Sequence, residues 1–239
     1  MTTTHPATVS AVARLDGLLR NYGHLGTLDL LHAMIMREFP GRVAVTSSFG
    51  AESAVLLDLV AEVQPATPVI FLDTDALFDE TAAYRDSLIR RLGLMDVRIA
   101  RPHPRDIRES DELWHRAPDR CCHLRKVLPM QRATEGFAAL IDGRKAFHGG
   151  DRASLPTISL GAGEVFKISP LIRWTEFDIE RAFDDRNLPR HPLVANGYRS
   201  IGCWPCTRPT EPGESPRAGR WAGSAKTECG IHTFAGSGI

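Results

Sequence analysis

Two cysteine pairs and one solitary cysteine mark where this 239-residue chain could do chemistry. Cys121 and Cys122 are adjacent in "RCCHL", Cys203 and Cys206 form a C-x-x-C in "GCWPC", and Cys229 stands alone in "AKTECGIH", residues 225–232. C-x-x-C has metal-ligand spacing, shared by zinc sites, iron–sulfur clusters and thioredoxin-like redox pairs. The adjacent pair would complete a four-thiolate set if the fold brings the two together. Neighbouring residues on a helix point a quarter-turn or more apart, so both ligate a cofactor with several metal corners more readily than one ion. A four-iron cluster meets that requirement better than zinc, while an all-cysteine zinc site and ordinary buried cysteines remain as alternatives. Cys229 belongs to neither pair, and its surroundings, rich in glycine and serine, read as too polar to bury it.

A second group of residues suits an anion. "SSFGAES", residues 47–53, falls where a predicted strand hands over to a helix. Backbone N–H groups there, the hydroxyls of Ser47, Ser48 and Ser53, and Gly50 beside Phe49 would make a phosphate or sulfate site. A plain serine cap with a glycine turn is the alternative. The stretch is not a Walker A loop, because the Gly-Lys-Ser/Thr ending is missing. "FLDTDALFDET", residues 71–81, sets Asp73 and Thr74 at the end of a second strand, where open α/β sheets bind ligands; both could equally cap the next turn.

These residues need a scaffold that gathers them. Apolar residues at three- and four-residue spacing predict helices over Val9 to Arg20 and Leu28 to Phe39. "RVAVTSS" reads as a strand, "AVLLDLVAEV" as a helix, Thr67 to Thr74 as a strand, Glu80 to Leu92 as a helix and "DVRIA" as a strand. A helix around Cys122 to Phe137, a weaker strand at "KAFHG", and "VFKISPLIRW" leading to a helix over Glu176 to Asp185 complete the pattern. Alternating strands and helices predict an α/β fold, a doubly wound, mostly parallel sheet covered on both faces. One domain is expected, residues 1–206, followed by a mobile C-terminal tail, 207–239, dense in Pro, Gly and Arg rather than a packed element. The helical segment 9–39 would pack either on its own sheet or on a partner in a homo-oligomer.

With 29 basic and 29 acidic residues, no electrostatic footprint for nucleic acid or membrane stands out. No run approaches the roughly 18 to 20 apolar residues of a membrane helix, and "MTTTHPATVS" does not resemble a secretory signal. A cytoplasmic location is expected, where five cysteines rarely serve as disulfide staples.

The loop "SSFGAES" resembles the phosphate loop of the adenine-nucleotide α-hydrolase superfamily. Together with "FLDTDALFDET", "CCHLRKVLPM", "GGDRAS", "HPL", "GYRSIGCWPCTRP", "RAGRW" and "KTECGIH" it makes the chain, from about Arg42 to His232, resemble assimilatory adenylyl-sulfate reductases, the iron–sulfur branch of the phosphosulfate reductase family. The resemblance implies a 4Fe-4S cluster on Cys121, Cys122, Cys203 and Cys206. It implies that Cys229 attacks the sulfur of adenosine 5′-phosphosulfate, expels AMP and holds the sulfonate as S-sulfocysteine, from which thioredoxin or glutaredoxin releases sulfite for cysteine synthesis. The reactive form would be the thiolate, its pKa of about 8.5 lowered by cations such as Lys226 or His232.

The same resemblance assigns substrate-binding roles to the loop residues, Asp73, Thr74, Gly150 and His232, and to four cations, Lys126, Arg152, Arg217 and Arg220. Cations are needed where AMP develops charge on leaving, although a lone Lys or Arg is by default a surface residue. Arg144, Lys145, His148 and His191 read as structural or surface residues. "FHGGDRAS" departs from the family, with Asp151 added and Ala153 where a second arginine is usual. Rivals are the same chemistry on 3′-phosphoadenylyl sulfate, an ATP-dependent thiolation enzyme, whose S-G-G-x-D-S loop is not matched by Phe49 and Glu52, and a non-catalytic zinc module.

Overall fold

Short β-branched and apolar runs build the centre of the molecule, which the computed structural model describes for residues 10–224 and 226–232. The strands are β1 (Val43–Ser47), β2 (Val69–Leu72), β3 (Val97–Ala100), β4 (Ala139–Ile141), β5 (Ile158–Leu160) and β6 (Phe166–Ile168), ordered β3-β2-β1-β4-β6-β5. Every neighbouring pair is parallel except β5 with β6. The chain winds outward from β1 through β2 to β3, then returns to β4 on the other side of β1. That reversal leaves a crevice at the C-terminal ends of β1 and β4, where such sheets bind ligands. The doubly wound, mostly parallel α/β fold is as the alternation predicts.

On one face lie α1 (Ala11–Tyr22), α2 (Thr27–His32, prolonged by a π-helical stretch over Ala33–Glu38), α3 (Ser53–Val63), α4 (Asp79–Leu92) and α9 (Glu176–Asp185). Their apolar residues join β1, β2, β4 and β6 in the larger core, where Phe49 and Phe71 meet edge to face at 5.3 Å. Leu18, Leu30, Leu31 and Met34 belong to that core, so the N-terminal helices pack on their own sheet. Val9, where the first helix is predicted to start, lies outside the described residues. α5 (Pro104–Glu109) and α6 (Leu113–Arg116) lead into α7 (Pro118–Cys122), a π-helical stretch (His123–Val127) and α8 (Leu128–Thr134). Met130 of α8 closes a smaller core against Ala44, Ile70 and Leu140 on the opposite face.

Several boundaries differ from the sequence pattern. The helix predicted over Cys122 to Phe137 starts earlier, at Pro118, whose missing N–H suits a first turn, and ends at Thr134. "KAFHG" is no strand: β4 is the three-residue run before it, and Ala146–His148 form a 3-10 turn. Gly149 and Gly150 follow with φ of 70° and 58°, a left-handed backbone that ends extended structure. β5, α5 and α6 are too short to carry a readable period.

Glu52 immediately precedes α3 and ties it to the segment after β4 by ion pairs to Lys145 and to His148, whose Nε2 is 3.2 Å away. Burial opposes ionisation of Glu52, yet Lys145 and His148 prevail and hold its carboxyl at about 2. A depressed folded-state value contributes stability above the unfolded value of about 4.5, lost as pH falls toward 2. Glu52→Gln should therefore cost about 1–3 kcal/mol at pH 7, with the deficit shrinking below pH 4 in thermal unfolding; a deficit independent of pH would refute the ion pairs as its source.

Candidate active site

A cleft of ≈ 210 Å3 opens at the C-terminal ends of β1, β2 and β4. Ser47, Ser48, Gly50 and Ser53 line it as β1 passes into α3, so the first turn of that helix faces the cleft. A Cβ on Gly50 would lie 3.2 Å from Ser48 Oγ and 3.3 Å from the Ile201 carbonyl oxygen, which leaves little room for any other residue. Thr74 also lines the cleft, and its hydroxyl lies 3.1 Å from Cys203 Sγ. Three candidates stand elsewhere. Phe49 turns into the core with no exposure; Asp73 accepts from the Asp75 N–H at 3.1 Å and pairs with Arg101 at 3.0 Å, capping the turn; Gly150 is exposed away from the cleft wall.

The two cysteine pairs meet. Cys121 and Cys122, on the last turn of α7, line one small cavity with Cys203 and Cys206, and all five cysteines are free thiols. The loop carrying Cys203 is stitched to the end of β2 by a bridge between Leu77 and Cys203 and by the Trp204 N–H donating to the Ala76 carbonyl at 2.9 Å. Among the described residues no three His, Cys, Asp or Glu side chains converge as ligands of a single ion would. Burial, and next Cys122, push the Cys121 thiol up to about 11. Cys203 moves the other way: burial opposes its ionisation, but Lys126, Thr74 and Arg220 outweigh it.

Lys126 lines both the thiol cavity and the cleft and is 6% exposed. Burial disfavours its charge, but Cys203, Cys122 and Cys229 raise its pKa. It sits not on a regular α-helical turn after Cys122 but in the π-helical stretch, which buries Lys126 together with Arg125. Arg125 is used up structurally, donating to Ser110 Oγ at 2.7 Å, the Thr74 carbonyl at 3.1 Å and the Ile107 carbonyl at 3.2 Å.

The tail folds over the cleft. Trp221 is buried at 5% exposure with the Arg220 guanidinium 4.7 Å from its ring centroid, so the segment after Arg208 is more packed than its Pro, Gly and Arg content suggests. Arg220 passes Gly202 so closely that a Cβ there would fall 2.2 Å from its Nη2. Cys229 is half-buried in the cleft with Arg152, Arg217 and Arg220. Lys226 pairs with Asp119 of α7, and Glu228 pairs with Arg152 and Arg217. His232 lies 3.8 Å from Asp142. Burial, opposed by Asp142, pushes its pKa down to about 4, so at neutral pH it is not the cation expected beside Cys229. Lys126 and Arg217 are cations whose fields reach Cys229.

Glu52, Asp142, Arg144, Lys145 and His148 also line the cleft and were not singled out as site residues. Lys145 is buried and Arg144 pairs with Asp142 at 2.8 Å, so of the structural and surface readings the structural one fits both. Their closeness to each other after β4 was visible; Glu52 facing them was not, since it lies 93 residues before Lys145. His191 is structural, its Nε2 3.1 Å from the Thr81 hydroxyl. Asp151 and Ala153 are both exposed.

Residues 42–209 match the model of the phosphoadenosine phosphosulfate reductase domain. The chain is 44% identical over 223 residues to the adenosine 5′-phosphosulfate reductase of Mesorhizobium japonicum, covering 92% of this chain and 87% of the relative. It is 45% identical over 215 residues to the protein of that name from a Chelativorans strain, covering 88% and 87%. In fold it is similar to the crystal structure of phosphoadenylyl-sulfate reductase from Candida auris, with a TM-score of 0.72 at 24% identity over 85% of this chain and 100% of that one. A weaker likeness, TM-score 0.55 at 15% identity, links it to the FMN adenylyltransferase of Candida glabrata over 86% and 76% of the two chains. By the span of the matched domain and the identity to these relatives, the chain belongs to the phosphoadenosine phosphosulfate reductase family.

Proposed function

We propose that this protein reduces adenosine 5′-phosphosulfate to sulfite and AMP with electrons from thioredoxin or glutaredoxin, a cytoplasmic step of sulfate assimilation that feeds cysteine biosynthesis. The observation that carries the reading is Cys229 lying in one cleft with the 47–53 loop, Lys126 and three arginines. Relatives at 44% and 45% identity named for adenosine 5′-phosphosulfate favour that nucleotide over its 3′-phosphorylated form.

In the proposed reaction the Cys229 thiolate attacks the sulfur of the phosphosulfate. The bond from sulfur to the bridging oxygen breaks, AMP leaves with the electron pair, and the sulfonate stays on Cys229. Arg152, Arg217, Arg220 and the N-terminus of α3 would bind the anionic groups, and Lys126 would stabilise both the thiolate and the leaving phosphate. Ser47, Ser48, Gly50, Ser53 and Thr74 would shape the nucleotide site, with His232 in its lining. A reduced dithiol then attacks Cys229 Sγ, sulfite departs, and its second thiol resolves the mixed disulfide. The partner loses two electrons and sulfur goes from +6 to +4. Residues 207–239 act in this reading as the catalytic tail on the 1–206 domain, a segment that presents its adduct to a second protein.

Cys121, Cys122, Cys203 and Cys206 would hold a 4Fe-4S cluster. The donor chemistry fits: four thiols face one cavity, and one is drawn toward the thiolate form by a buried ammonium. When bound, the cluster would supply structural support and negative charge beside Lys126, not electrons.

Cys229→Ser should bind nucleotide and keep the cofactor yet form no S-sulfo adduct by intact-mass spectrometry, with activity down at least about 1000-fold as when a nucleophile is removed. An adduct at another cysteine in that variant would sink the assignment. Anaerobically purified protein should contain near four irons and four sulfides per chain with a brown absorption band; one zinc and no iron would oppose the cluster. Steady-state kcat/KM should favour adenosine 5′-phosphosulfate over the 3′-phosphorylated nucleotide by more than about tenfold, and the reverse order would reassign the substrate.

A further inference from the structure

Glu228, the residue before Cys229, makes a bidentate contact with Arg152, Oε1 accepting from Nε at 2.6 Å and Oε2 from Nη2 at 3.0 Å. Oε2 also accepts from Arg217 Nη2 at 3.4 Å, and that same nitrogen donates to the Thr227 carbonyl at 2.8 Å. These arginine side chains are only 12% and 16% exposed. Two buried guanidiniums side by side need an anion: burial, and next Arg152, push Arg217 down to about 10. Glu228 meets that need. A sulfonate or phosphate offers arginine the same pair of oxygens as a carboxylate, and the edge of Arg152 that would bind it already carries Glu228. An incoming dianion would also be repelled by the carboxylate across a low-dielectric cleft.

We infer that Glu228 is a removable internal anion, which latches the Cys229 segment onto Arg152 and Arg217 while the cleft is empty and yields both arginines to the sulfonate end of the nucleotide. Exchange breaks the Glu228 contacts that hold residues 227–229 down, while Lys226 on Asp119 keeps the tail attached just ahead of them. Substrate entry and release of the nucleophile are thereby one event: the thiol becomes free to move when the group it attacks has arrived. The carboxylate weakens binding of the free nucleotide and in return shields a reactive thiol in its absence.

The inference rests on the nucleotide reading of the cleft, and the test separates the two. The holoprotein and its Glu228→Gln variant are compared by calorimetry with adenosine 5′-diphosphate, whose terminal phosphate stands in for the sulfonate but cannot be transferred to sulfur. Separately, alkylation of Cys229 by iodoacetamide is followed by peptide mass spectrometry without nucleotide, at the plateau of its pH–rate profile so that thiolate fraction does not enter. The variant should bind the diphosphate about tenfold more tightly and alkylate about tenfold faster. Glu228→Asp, shorter by one methylene, should show the same shifts at smaller size and serves if the glutamine variant does not fold. Weaker or unchanged diphosphate binding by the variants would overturn the exchange, making Glu228 a positioning residue for the arginines or a bystander. Unchanged alkylation would overturn the latch. Diphosphate binding to neither protein would count against the nucleotide reading, while the alkylation rates would still decide the latch.

Discussion

The ammonium of Lys126 is the charge around which the rest of the site is arranged. A buried lysine disfavours its own ionisation unless anions face it. Here Cys203, whose thiolate form Lys126 favours, stands foremost, and sulfurs from α7, from the C-x-x-C loop and from the tail meet around the ammonium, so three segments far apart in sequence come to one point. The π-helical stretch over His123–Val127 buries Lys126 and Arg125 together, and Arg125 then braces the loop after β2. A regular turn would change the spacing of both side chains relative to Cys122. From this stretch one cation stands between the thiol cavity and the cleft.

The sheet provides the place for that charge. Because strand order reverses at β1, the ends of β1 and β4 diverge, and the gap is filled by small residues of the 47–53 loop. Hydrophobic packing on both faces holds the strand ends rigid, with Phe49 turned into the core by a backbone φ of 48°. That residue helps shape the loop as an anchor rather than as a ligand contact. The polar ties Glu52 to Lys145 and Asp142 to Arg144 then set the far wall of the cleft.

Charge in the cleft is offset in part by the protein's own carboxylates. Arg152 and Arg217 face Glu228, Arg144 faces Asp142, and Lys145 faces Glu52. A site built to receive a dianion would otherwise carry uncompensated buried cations, which cost several kcal/mol each. The tail supplies one of these counter-anions, Glu228, in the residue next to Cys229.

Much of this protein was legible in its residues alone. β-branched runs alternating with amphipathic stretches determined the parallel α/β sheet, because burial of both sheet faces imposes that pattern locally. The cysteine spacings and "KTECGIH" marked residues that the fold gathers at the thiol cavity and the cleft, and the tail arginines and Arg152 do line the cleft. Three-residue elements such as β4 and β5 were not legible, since three residues hold barely more than one strand period of two and no alternation can be read from them. Long-range pairing was hidden for a different reason: only the tertiary structure decided that Cys121 and Cys122 face Cys203 and Cys206, that Asp73 turns to Arg101, that burial leaves His232 uncharged, and that Glu228 occupies Arg152. Each of these depends on which groups meet across the fold and how much water they keep, and solvation and charge proximity are properties of the folded space, not of spacing along the chain.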